Sequence, residues 1–172
     1  MLGNKWLCEP DDERKSWCFL VVELNGGNAG REIAGWQIGY GNPKKMVKTV
    51  EKSGAGEEET IKTLVEEISR CEKVGAPVIT PGRRGTQALR TRLLLLGEKN
   101  TPLRRVGFVH VQGLLEEHFL DSELPRIPDV GLSEAAERMG VGEKGAEKVE
   151  LLRKIFLRVG SLISENPLQV VE

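Results

Sequence analysis

The chain has 172 residues, 39% of them hydrophobic, which is enough for one domain with a substantial core and short for two. Its 25 basic and 26 acidic residues leave a net charge of −1, so no global attraction to a polyanion exists and any nucleic-acid signal must be local. Cys8, Cys18 and Cys71, widely separated and odd in number, make neither a disulfide framework nor a Cys-x-x-Cys metal site, which predicts a reducing, intracellular setting.

From the N-terminus, residues 1–16 contain no apolar signal-peptide core and read as an extension. No later apolar run is long enough to cross a bilayer, so a soluble, cytoplasmic protein without a membrane partner is expected. WCFLVVEL (Trp17 to Leu24) is too short for a buried helix and rich in β-branched and aromatic residues, which predicts a central strand buried on both faces. It closes on an acid, Glu23, beside the turn-forming Asn25-Gly26-Gly27. In REIAGWQIGY, Ala34, Trp36, Ile38 and Tyr40 alternate onto one face of a half-buried strand. Gly41-Asn42-Pro43 then turns the chain into KKMVKTV, and the short connections make an antiparallel meander the simplest arrangement.

The period changes at EEETIKTLVEEISRCEKVG, where Ile61, Leu64, Val65, Ile68 and Cys71 recur at helical spacing, with acids leading and Gly75 following. PVIT is a short strand, and TQALRTRLLLLG a helix with Thr86 as its cap and Gly97 as its stop. RVGFVHV (Arg105 to Val111) predicts another buried strand, GLLEEHF a helix, and LSEAAERMG a short helix capped by Ser133. SGAGEEE and SELPRIPDVG read as surface loops. From about Lys144 to Ser164, Val149, Leu152, Phe156, Val159 and Ile163 form one stripe of the longest helix, which ends before Asn166-Pro167 and leaves 165–172 as a tail.

This order predicts an α/β fold in a single domain over 1–172. A mixed five-stranded sheet, its antiparallel meander followed by parallel strands, is covered by helices in three layers, which is the arrangement of the ribonuclease H-like fold. The segments FLVVELNGG, EIAGWQIGYG, PVITPGRRGTQALRTRLLLLG, GFVHVQGLLEEHF and GLSEAAERMGV resemble, in the same order, successive segments of the DnaQ-like 3′–5′ exonuclease superfamily. The resemblance covers most of the chain from Phe19 onward.

The resemblance implies removal of nucleotides from DNA or RNA ends by two magnesium or manganese ions held on four acids, because hard cations need carboxylate oxygens. Glu23-Leu24-Asn25 stands where the family has Asp-x-Glu, so one acid is kept and one replaced by an amide. Where the register of Leu89 and Arg92 puts the next acid, at Gly85 or a neighbour, the chain has Arg83 and Arg84, whose charge opposes a cation. On the last helix Glu147 and Glu150 are the acids within register, with neither His nor Tyr nearby as a general base. If active, the chain would use Glu23 and Glu150 in catalysis and Glu23, Glu147 and Glu150 on the metal. The tally argues against a working site, so no cofactor is expected outside that case. The plain reading of Glu23 is an acid that closes a strand or pairs with a nearby Arg.

The span from Thr80 to Arg105 holds Arg83, Arg84, Arg90, Arg92, Lys99, Arg104 and Arg105 against Glu98 alone. Arginines at a strand-to-helix junction bind phosphates through forked hydrogen bonds. They equally pair with acids, here Glu116, Glu117, Asp121, Glu123 and Asp129, in the surface networks that thermophile proteins use. Three readings follow. The chain is a degenerate exonuclease-like module that binds DNA or RNA through Arg83, Arg84, Arg90 and Arg92, or joins a complex; it is a divergent metal-dependent exonuclease; or it is a scaffold for another protein.

Overall fold

In the computed structural model, which describes residues 17–26, 31–99, 101–119, 124 and 126–165, the WCFLVVEL segment forms β1 (Trp17–Leu24), the middle strand of a five-stranded sheet. The expected extension 1–16, Gly27 and the tail beyond Glu165 lie outside the described residues. β1 is buried on both faces because its side chains alternate between two helical layers. Trp17, Phe19 and Val21 enter one apolar cluster, and Cys18 and Leu20 the other.

β2 (Ile33–Gly41) and β3 (Met46–Ser53) continue from β1 as an antiparallel meander, with Leu20 opposite Ile38 and Ile38 opposite Val50. On the other side of β1, β4 (Val78–Thr80) and β5 (Phe108–His110) pair in parallel, with Cys18 opposite Val78 and Val78 opposite Phe108. The strand order is β3-β2-β1-β4-β5, so the sheet is mixed as expected.

Parallel neighbours need crossover connections, and helices supply them. α1 (Glu57–Lys73), α2 (Arg83–Leu95) and α3 (Thr101–Arg105) cover one face with Ile61, Leu64, Leu89, Leu93 and Leu103. α4 (Val111–His118), α5 (Ile127–Arg138) and α6 (Lys148–Glu165) cover the other with Leu115, Ala135, Leu152 and Phe156. Trp17 meets Phe156 edge to face at 5.2 Å, and Trp36 donates its indole N–H to the Thr60 carbonyl at 2.9 Å.

Four expectations are corrected. β5 is confined to Phe108–His110, because β4 offers only Val78, Ile79 and Thr80 as partners; Arg105 ends α3 and Val111 begins α4. α2 starts at Arg83, so Thr86 is inside its first turns and not its cap, and its hydroxyl donates back to the Arg83 carbonyl at 2.8 Å. Part of the expected SELPRIPDVG loop is helical, since α5 starts at Ile127, ahead of Ser133, and kinks at Gly131 where φ is 82°. α6 begins at Lys148 and not near Lys144, because Gly145, with φ of 79°, cannot continue a right-handed helix.

Leu20 and Leu152 are fully buried on opposite faces of the sheet. Leu20→Ala and Leu152→Ala should each lower stability by about 2–5 kcal/mol in urea titration, with neither face much cheaper than the other.

Candidate functional site

The carboxyl ends of parallel strands are where open α/β sheets form their crevices, since the chain diverges there into helices. At the ends of β1 and β4 lies a cleft of about 710 Å³, whose lining includes Glu23, Thr80, Gly82, Arg84, Ser133 and Lys148. Pro81-Gly82 carries the chain from β4 into α2, and Gly82 caps the helix with extended backbone and no side-chain bond. The positive end of the α2 dipole therefore stands at the cleft. Gly85 brings α2 directly onto β1: an added Cβ would lie 3.0 Å from the Cβ of Val22. Any side chain there, an acid included, would press on the strand.

Glu23 faces the cleft and pairs with Lys148 at the start of α6, a lysine where an arginine partner was expected. The two side chains are 44% and 55% exposed, so water screens the pair. Glu147 and Glu150 line a separate groove of about 450 Å³ beside β3. Glu147 accepts a hydrogen bond from the Thr49 hydroxyl at 3.0 Å. Glu150 takes both prongs of the buried Arg153, at 2.8 and 2.6 Å, and Arg153 also donates to the Pro43 carbonyl at 2.7 Å. Glu143, which the sequence reading missed because it precedes the last helix, lines both hollows and pairs with Lys154.

Among the described residues, no group of three or more His, Cys, Asp or Glu side chains is placed to hold a metal ion. The donor set does not fit the magnesium or manganese pair that the resemblance implies. Glu23 and Glu150 each face a cation, and two of the three candidate acids open into a different groove.

The arginines divide by helix face. Arg92 turns toward α1 and pairs with Glu57, whose other oxygen accepts the Ile33 N–H at 3.0 Å, so it ties α2, α1 and β2 together. Arg84 is exposed at the cleft. Arg83 and Arg90, about two turns apart on one side of α2, are both exposed. Among the described residues neither has a carboxylate partner. Of the acids expected to neutralise them, Glu116 and Asp129 pair instead with Arg126, Glu117 is exposed on α4, and Asp121 and Glu123 lie outside the described residues.

Beside these arginines runs β5. The Arg90 guanidinium stands 5.9 Å above the Phe108 ring, and the Phe108 and His110 rings lie parallel within 1° at 6.3 Å. His110 Nδ1 is 2.7 Å from the Thr80 hydroxyl. Burial, then the charges of Arg83 and Arg90, push the His110 pKa below its ordinary value. Sequence reasoning placed both rings in a buried strand, whereas they are half-buried at the end of the sheet. The alternation of Phe108 and His110 about Val109 was the signal available.

Comparison with protein-family models, with curated proteins and with solved structures finds no match to this chain. Function must come from the site itself. No helix among the described residues is long and apolar enough to cross a membrane.

Arg153 holds the Glu150 carboxyl below its ordinary value of 4.5, against the opposing effect of burial. The folded pKa is the lower one, so this carboxylate contributes stability that is fully present above about pH 4.5 and is lost as pH falls through the folded value. Urea midpoints should separate the wild type from Glu150→Gln at pH 6–7, with the gap closing in acid. Lys148→Met, which breaks the exposed Glu23 pair, should change stability by less than about 1 kcal/mol in the same titration.

Proposed function

We propose that this chain is an exonuclease-like domain of ribonuclease H-like fold, catalytically degenerate, that binds nucleic acid through the face of α2 bearing Arg83 and Arg90. The observation that carries the reading is this pair of exposed guanidinium groups, without carboxylate partners among the described residues, in a protein of net charge −1. Charge left unpaired on one face of a nearly neutral molecule is available to phosphates, which Arg binds with its planar fork of donors. Arg84 and the α2 N-terminus extend the surface to the cleft. Arg92 drops out of the interface because Glu57 already engages it.

The sheet order supports the fold reading, since β1 pairs antiparallel with β2 and parallel with β4 in the order β3-β2-β1-β4-β5. The pairing of Glu23 with Lys148 and of Glu150 with Arg153 supports the degenerate reading over the metal-dependent exonuclease. One observation favours the scaffold instead: Leu94, Leu95 and Leu96 at the end of α2 are 79%, 68% and 39% exposed, an apolar patch of the kind that contacts proteins.

Fluorescence anisotropy with short DNA and RNA oligonucleotides across a salt series is the test. Affinity should fall with salt, and Arg83→Ala/Arg90→Ala should weaken binding and reduce the logarithmic salt slope by about 1.4, from about 0.7 per lost single-strand phosphate contact. Binding that is absent at low salt, or unchanged in the double variant, leaves the scaffold. Manganese-dependent shortening of oligonucleotide ends, abolished by Glu23→Gln, would establish the nuclease.

A further inference from the structure

Resting on that reading, we propose that β5 is a base-stacking site: Phe108 and His110 receive unpaired bases of a single-stranded nucleic acid whose phosphates lie on Arg83 and Arg90. Residues two apart on a strand share a face, so Phe108 and His110 project together while Val109 joins the apolar cluster on the opposite side of the sheet. Both are partly buried, and Phe108 also packs against the apolar cluster that includes Leu89 and Leu93 of α2. Their planes are parallel within 1°. β5 is the last strand of the sheet on this side, so no further strand among the described residues flanks the pair.

The cations are arranged along the same line. α2 runs back antiparallel to β4 and β5, which sets Arg90 over Phe108 and Arg83 near His110. Seven residues of helix separate the two arginines by ~10 Å, so they can hold different phosphates of one strand. Parallel rings match the flat faces of bases, and aromatic stacking accepts any base because each has a π-face. An acidic peptide would use the arginines but has no need of paired rings. A duplex would also use them, yet its bases are stacked on one another and offer no free face. His110 is held in orientation by Thr80, and its lowered pKa keeps the ring uncharged near neutral pH.

The experiment compares, by anisotropy, a single-stranded oligonucleotide, an abasic strand of equal length and charge, and the corresponding duplex. The wild type should bind the natural strand about tenfold more tightly than the abasic one for a single well-stacked base. Phe108→Leu and His110→Gln should erase that preference, whereas Arg83→Ala/Arg90→Ala should weaken all three ligands. Because Phe108 also packs on the core, thermal melts check that each variant folds, and a second measurement uses the wild type alone. Photo-cross-linking with 5-iodouracil strands should place the adduct on the peptide containing Phe108 and His110. Equal affinity of the wild type for natural and abasic strands overturns the stacking site while leaving the arginine surface intact, as do adducts found only elsewhere. If no oligonucleotide binds, both proposals fall together. If an acidic peptide binds in a Phe108-dependent way and oligonucleotides do not, the surface belongs to a protein partner and the stacking site is overturned.

Discussion

The two-sided burial of β1 is the constraint on which the other elements depend. Trp17, Phe19 and Val21 require one helical layer, Cys18 and Leu20 require another, and neither set can be left to water. A strand with this demand can sit only inside a sheet, so β2 and β4 must flank it, and the helices must divide between the faces. That division places the start of α2 and the start of α6 on either side of the tip of β1. Arg84 and Lys148 consequently meet Glu23 around one cleft although they are far apart in the chain. The cleft is therefore a consequence of core packing before it is anything else.

The same packing sorts the arginines of α2. Leu89 and Leu93 must face the sheet, which fixes the rotation of the helix. Arg92 then emerges beside Glu57, and Arg83 and Arg90 emerge beside β5. A run of positive charge that looks uniform in sequence thus separates into a structural tie and a strip without carboxylate partners among the described residues. The distinction carries the functional proposal, and it rests on helix phase, not on the number of charges.

Much of the fold was legible because period reports burial. The span of β1 was readable to the residue, and the stripe from Val149 to Ile163 identified α6, since each strongly periodic run meets a partner along its whole length. Failures came where the partner set the limit. RVGFVHV has the pattern of a longer strand, but a three-residue β4 can pair only three of its residues. The PRIP stretch suggested a loop, yet Pro128 sits comfortably in the first turn of α5, where no amide bond is lost. The candidate site was less legible. Glu23 could be found at a strand tip from sequence, but its pairing with Lys148 spans 125 positions and no local pattern encodes it. Phe108 and His110 read as core because sequence alternation does not tell an edge strand from a central one.

On the proposed reading, the loss of metal chemistry is built into more than the missing acids. Restoring a carboxylate at position 85 would force a side chain against Val22, where only 3.0 Å separates the Cβ atoms, so α2 would have to lift from β1. Freeing Glu23 for a cation would require Lys148 to leave, and Glu150 would have to release a buried arginine that also holds Pro43. Breaking a buried pair on one side strands the other charge, which is far costlier than breaking an exposed one. Glu23 is thus the acid that remains inexpensive to redirect, while Glu150 is committed to Arg153, which ties α6 to the β2–β3 turn. The chemistry left to this surface is the binding of anions and aromatic faces, which on the proposed reading Arg83, Arg90, Phe108 and His110 supply.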